Sequence, residues 1–240
     1  MKKNNDRKVI IFGASGAIGN ALIDWFNNNN FFVYALSRNT KKKKNKNNNY
    51  IEWLDYNPND FSIFEKLEDS SINSVVWAQG ENLTDNIYSF DVNNFRKTIE
   101  SNVSFILITL QILLNKNKLK NDARLCIISS IWQKLAKQDK LSYTISKSAL
   151  QGAVMSLAVD LGKNGMMINA VLPGVIDTPM TLKNLSEDQI KSIKNSTPLK
   201  SLASLEDVSN IVGFLCSESN KGITGEFIRV DKGFSNAKII

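Results

Sequence analysis

Short, nearly continuous apolar runs alternate with helix-length segments along the whole chain, and this alternation limits the fold more than any other feature. Lys8 to Gly13 reads as a buried strand, and the helix that follows, Ala17 to Asn28, sets Ile18, Leu22, Trp25 and Phe26 on one face. Phe31 to Ser37, Tyr50 to Asp55, Ser74 to Gly80, Arg124 to Ser130, Met166 to Gly174 and Gly225 to Gly233 read as further strands. Asn93 to Asn115, Tyr143 to Leu161 and Leu205 to Cys216 read as helices. Strands that are apolar along their length are buried on both faces, which predicts an α/β fold: a doubly wound parallel sheet of about seven strands with helices on both sides. No composition shift marks a linker, so residues 1–240 are expected to form a single domain. Ligands of such a sheet bind beyond the carboxyl ends of the strands.

The chain has no histidine. That excludes a Ser-His-Asp or Cys-His nucleophile, a His-ligated zinc and an imidazole acid/base, and no metal site is expected. Proton chemistry must come from Tyr, Lys, Asp, Glu, Cys or Ser. The formal charge of +7 is carried largely by Lys2, Lys3 and the run Lys41 to Lys44. These lie in asparagine-rich stretches, Asn27 to Asn30 and Asn47 to Asn49, that read as solvated loops rather than a nucleic-acid surface. The apolar part of the N-terminus, Val9 to Phe12, is too short for a signal peptide, and Val103 to Leu114 is too short and too interrupted for an uninterrupted membrane span. Cys126 and Cys216 stand far apart with no paired framework. A cytoplasmic protein with neither nucleic-acid nor membrane partners is expected.

The turn after the first strand contains Gly13, Gly16 and Gly19. Glycines there permit a tight turn and let backbone N–H groups approach a pyrophosphate at the helix N-terminus, although any tight strand-to-helix connection also favours them. The candidate dinucleotide wall is this turn (Gly13, Ser15, Gly16, Ala17, Ile18, Gly19), with Ser37, Arg38 and Asn39 after the second strand. Asp55 and Tyr56 after the third strand and Ala78, Gln79 and Gly80 after the fourth complete it. An NAD site places a carboxylate where this chain has Ser37-Arg38-Asn39. Arginine there favours a 2′-phosphate and hence NADP(H) over NAD(H); the other reading is a strand-end arginine facing water.

Tyr143 and Lys147 share a helical face, where an ammonium favours the phenolate and brings a phenol toward usable proton chemistry. Ser129 and Ser130 end the strand upstream in the same unit. With Asn102, Pro173-Gly174-Val175-Ile176-Asp177-Thr178-Pro179-Met180 and Val230-Asp231-Lys232-Gly233, these motifs give a chain that resembles the short-chain dehydrogenase/reductase family in its compact, single-domain, Rossmann-type form, similar to its 3-oxoacyl-carrier-protein reductases. The resemblance covers nearly the whole chain. It implies that Tyr143 exchanges the proton with the substrate oxygen and that Lys147 holds the nicotinamide ribose and depresses the tyrosine pKa. It further implies that Ser130 bonds the carbonyl, that Asn102 supports a relay water, and that Pro173, Gly174, Ile176 and Thr178 meet the nicotinamide end. A substrate lid after Met180 and a homotetramer or homodimer paired through the fourth and fifth helices are also implied.

Three positions depart from the family pattern. Ala17 replaces the middle glycine, so the turn has the spacing of the extended branch that includes nucleotide-sugar enzymes. Trp77-Ala78-Gln79-Gly80 replaces the usual Asn-Ala-Gly, and Lys232 replaces a glycine. The substrate is expected to be a small carbonyl or secondary alcohol, carrier-linked or phosphorylated, met by Trp132, Gln133 and neighbouring loops. The alternatives are a sugar or nucleotide-sugar oxidoreductase and a dinucleotide sensor without turnover.

Overall fold

The computed structural model describes residues 6–38, 50–58, 60–178, 181 and 185–237. Its strands are β1 (Arg7–Phe12), β2 (Phe31–Ser37), β3 (Ile51–Asp55), β4 (Ile72–Trp77), β5 (Leu119–Ile128), β6 (Met167–Pro173) and β7 (Phe227–Val230). They form one sheet in the order β3-β2-β1-β4-β5-β6-β7, parallel throughout. Parallel neighbours cannot be joined by a hairpin, so helices cross over both faces. These helices are α1 (Ala17–Asn28), α2 (Val92–Ile99), α3 (Phe105–Asn115), α4 (Leu141–Gly162), α5 (Glu187–Ser196) and α6 (Leu205–Leu215). The strand order reverses between β1 and β4, and the crevice beyond their carboxyl ends is where a doubly wound sheet binds its ligand.

The period of two along a strand splits the core. Ile10 and Phe12 of β1 join Trp77, Phe64, Phe105 and Leu150 on one face, whereas Val9 and Ile11 join Leu22, Phe26, Val208 and Val212 on the other. On the second face α1 and α6 approach so closely that a Cβ on Gly213 would lie 2.3 Å from the Trp25 ring. Trp25 also donates its indole N–H to Asn210 across this contact, at 3.0 Å.

Several local features refine or differ from the sequence expectation. Asn27 and Asn28 finish α1, at the end expected for that helix, and only Asn29 and Asn30 of the asparagine run lie beyond it. Asn29 donates its side-chain amide to the Trp25 carbonyl, and Asn30 takes the left-handed conformation (φ 63°), so this asparagine run ends the helix. The last strand is shorter than expected because the Asp231 carboxylate accepts from the Gly233 and Ser235 amides and curls the chain away. The long helix after β4 is interrupted by a π-turn at Glu100–Ser104. The run Val92–Asn115 is long and apolar enough to cross a membrane by length and composition, yet Phe105, Ile106, Leu110 and Leu113 pack it on the sheet. Asn39, the lysine run 41–44 and Met180 lie outside the described residues.

Candidate active site

The β1–α1 turn is built for close approach. Gly13 has φ 74°, and a Cβ there would lie 2.5 Å from the Gln79 backbone nitrogen; a Cβ on Gly19 would lie 2.3 Å from the Gly13 carbonyl. Gly16 caps α1 without a side-chain hydrogen bond, and the first turn of α1 holds no acidic residue, so its amide groups are open to an anion. Gly13→Ala is expected to cost at least roughly 1–2 kcal/mol from the left-handed backbone alone. The check is the urea midpoint, and an unchanged midpoint would show that the turn relaxes.

A cavity of about 640 Å³ opens over this turn. It gathers Gly13, Ser15 and Gly16, then Ser37 and Arg38 from the end of β2, Tyr56 after β3, and Ala78, Gln79 and Gly80 after β4. Ser37 donates to the Ser15 hydroxyl at 2.8 Å, tying the strand end to the turn. Burial raises the Tyr56 phenol above its ordinary value and the Arg38 guanidinium pulls it back, which puts those two side chains together. Arg38 forms no ion pair among the described residues. Arg96, Lys97 and Phe105, on the helices after β4, line the same cavity and had no signal in the motif reading. Both polar ends of the Gln79 carboxamide are buried without a partner among the described residues, so this wall has hydrogen bonds to offer. The open α1 terminus, the glycine cradle and this orphaned amide fit a dinucleotide. Ala17, Ile18, Gly19 and Asp55 support the turn and the β2–β3 ladder but do not line the cavity.

Departures from the motif are absorbed by packing. Trp77 lies fully buried, stacked on Phe12 at 6.0 Å, and donates its indole N–H to Thr109 at 2.9 Å. It thereby ties β4 to α3. Lys232 takes a left-handed φ of 57° and pairs with Asp207 at 2.7 Å, an intramolecular partner on α6.

Beyond β5, the Ser130 side chain stands near the Tyr143 phenol, and Lys147 stands above the Tyr143 ring, its Nζ 5.7 Å from the centroid. Lys147 is buried, donates to the Ile128 carbonyl at 2.9 Å, and is held down to about 8 by burial. Burial pushes the Tyr143 phenol above 10.0, with the nearby Ser130 hydroxyl opposing. This reverses the expected depression: Lys147 is drawn to the Ile128 carbonyl, and desolvation outweighs any help it gives the phenolate.

Asn102 is fully buried in the π-turn. Its Oδ1 accepts from the Glu81 amide at 2.7 Å, and its Nδ2 donates to the Glu81 carbonyl and to Ser146 at 3.0 and 2.9 Å. The side chain is therefore a brace between the β4–α2 loop and α4. Pro173 and Gly174 end β6 against β7, and Ile176 bridges to Ala203. The Thr178 hydroxyl accepts from the Thr181 amide at 3.3 Å, as a helix N-cap does. None of these four lines the cavity. Gln133, expected to face substrate, is buried with its carbonyl oxygen accepting from Ser129. Among the described residues no cluster of metal-ligating side chains occurs.

Residues 64–235 match a family model described as enoyl-(acyl carrier protein) reductase. The chain is 31% identical over 186 residues to the 3-oxoacyl-[acyl-carrier-protein] reductase FabG of Buchnera aphidicola, covering 75% of each protein. It is 34% identical over 140 residues to FabG of Aquifex aeolicus, covering 58% of this chain and 56% of that protein. Against the enoyl-[acyl-carrier-protein] reductase [NADH] FabI of Haemophilus influenzae it is 29% identical over 169 residues, 70% of this chain and 64% of the relative. The solved structure of ElxO with NADP bound superposes with a TM-score of 0.82 at 25% identity, covering 95% and 98% of the two chains.

Proposed function

Because the chain belongs to the short-chain dehydrogenase/reductase family, we propose that it is an NADP(H)-dependent oxidoreductase that moves a hydride between nicotinamide and a carbonyl or secondary alcohol. The observation that carries this reading is the Ser130 side chain beside the Tyr143 phenol with Lys147 above the ring, beyond the carboxyl end of β5. The dinucleotide, when bound, supplies or accepts the hydride. In the reductive direction the Tyr143 hydroxyl passes its proton to the carbonyl oxygen as that oxygen gains charge. Ser130 donates a hydrogen bond to the same oxygen and so favours the charged form over the ground state. The Lys147 ammonium faces the phenolate left behind until solvent returns the proton. Asn102 holds the loop that carries Gly80 against α4.

The preference for NADP(H) rests on Arg38, which lines the cavity beside Ser37 and forms no ion pair among the described residues. A charge-assisted bond to a 2′-phosphate is worth about 1.5–3 kcal/mol, or roughly 10- to 100-fold in affinity. Arg38→Ala should remove that preference, read by titrating NADPH and NADH into each protein. Equal binding of both by the wild type would sink the assignment.

Among substrates, 3-oxoacyl groups on an acyl carrier protein come first, since the FabG relatives carry that name. Oxidation of NADPH with a panel of such thioesters and simple ketones tests the activity, and binding without turnover across the panel would favour a sensor. Leu107 and Ile108 on α3 and Ile145, Met155 and Val159 on α4 are exposed, which supports a homo-oligomer paired through these helices. The two buried, unpaired cysteines agree with a cytoplasmic location.

A further inference from the structure

We propose that Asp85 is a positioning residue for Tyr143: a carboxylate from the β4–α2 loop that caps the catalytic helix. The inference rests on the role given to Tyr143 above. Helix α4 begins after Lys140, whose side chain makes no cap. Its first-turn amides turn to a residue more than fifty positions upstream in the chain. The Leu141 amide donates to the Asp85 carbonyl at 3.2 Å, the Ser142 amide donates to Asp85 Oδ1 at 3.0 Å, and the Ser142 hydroxyl donates to Asp85 Oδ2. Asp85 in turn donates its own amide to the Asp139 carbonyl at 3.2 Å. On either side, Lys140 Nζ donates to Thr84 Oγ1 at 2.9 Å and Asn86 Nδ2 donates to Asp139 Oδ1 at 2.7 Å. Asp85 is 5% exposed and Ser142 is 0% exposed, so this seam excludes water.

A carboxylate at a helix N-terminus satisfies orphan amides and complements the positive end of the helix. Here it does so one residue before the tyrosine. Tyr143 lies in the first turn, the part of a helix that frays most readily, yet its phenol must stay beside Ser130 for the proposed chemistry. The other end of the same loop is fixed by Asn102 to Glu81 and to Ser146, one turn further along α4. Thus the loop that leaves the cofactor wall at Gly80 grips the tyrosine helix at two successive turns.

The test compares Asp85→Ala, Asp85→Asn and Ser142→Ala in the full chain. Asp85→Ala is expected to lower kcat about 10- to 100-fold, the loss that a displacement of about 1 Å brings. KM and NADPH affinity should stay within about twofold, since neither substrate nor cofactor meets Asp85. Asp85→Asn keeps an acceptor for the Ser142 amide and a donor for its hydroxyl, and should restore kcat to within about threefold of wild type. Ser142→Ala removes one bond of the seam, serves if Asp85→Ala does not fold, and should lower kcat by about threefold to tenfold. Fluorine NMR of fluorotyrosine-labelled protein reads the ring without turnover, its line assigned by loss in Tyr143→Phe. One sharp line is expected in the wild type and Asp85→Asn, and a broadened or doubled line in Asp85→Ala. Wild-type kcat and an unchanged line in Asp85→Ala would overturn the proposal. So would kcat, KM and NADPH affinity falling together with no recovery in Asp85→Asn. If the wild type reduces no carbonyl, the functional reading fails, and the fluorine line by itself decides whether Asp85 orders Tyr143.

Discussion

Tyr143→Phe is expected to lower kcat for NADPH-dependent carbonyl reduction by roughly 10²- to 10⁴-fold, the range that a positioned proton donor supplies. The substitution deletes one oxygen and leaves the ring, so the packing of α4 and the Lys147 contact above the ring persist. Ser130 keeps the Trp132 amide at 3.3 Å, and stability should fall by no more than about 1 kcal/mol. NADPH affinity should therefore remain near wild type while turnover collapses. A variant that keeps its rate with intact cofactor binding would remove Tyr143 from the chemistry. A variant that loses both together would point to misfolding, which a thermal melt would reveal.

Lys147→Met is expected to act on activity and stability in opposite directions. Turnover should drop about 10²-fold or more, because the ammonium facing the phenolate is gone. Stability at pH 7 should rise by about 2 kcal/mol. Burial holds Lys147 at about 8 against an ordinary 10.5, a gap worth about 3 kcal/mol at 1.36 kcal/mol per pH unit. Methionine leaves the Ile128 carbonyl without its donor, which offsets about 1 kcal/mol of that gain. The pH dependence has a definite sign. Between about 8 and 10.5 the unfolded chain still carries the proton that the folded protein has released, so wild-type stability rises with pH across that window. The cost of burying the charge is complete below about 8 and gone above about 10.5. Urea unfolding at several pH values should show the variant's advantage shrinking as pH rises, and a constant advantage would contradict a strained Lys147. The wild-type rate should also show a falling limb near pH 8, as Lys147 loses its proton.

The elements themselves were largely legible because burial on both faces of a parallel sheet demands continuous apolar runs, and such runs survive in a single sequence as visible blocks. The motif positions were legible for a related reason: Gly13 must take a left-handed φ, and Tyr143 and Lys147 must share a helical face. What stayed hidden depends on partners far apart in the chain. The Trp77 to Thr109 bond, the Asn102 brace and the Asp85 cap each join segments more than twenty residues apart. No periodicity encodes such pairings.

By itself, the order of residues determined a doubly wound parallel sheet, the exclusion of histidine chemistry and the glycine turn. These follow from local propensity, side-chain period and elemental inventory, all of which are properties of neighbours in the chain. Only the tertiary structure decided that Lys147 is pushed down and Tyr143 pushed up, that Asn102 acts as a brace, and that Asp85 reaches across to hold the tyrosine helix. Each of those depends on how much water is excluded and which distant atom fills the space, and both are set when the loops close over the ends of the strands.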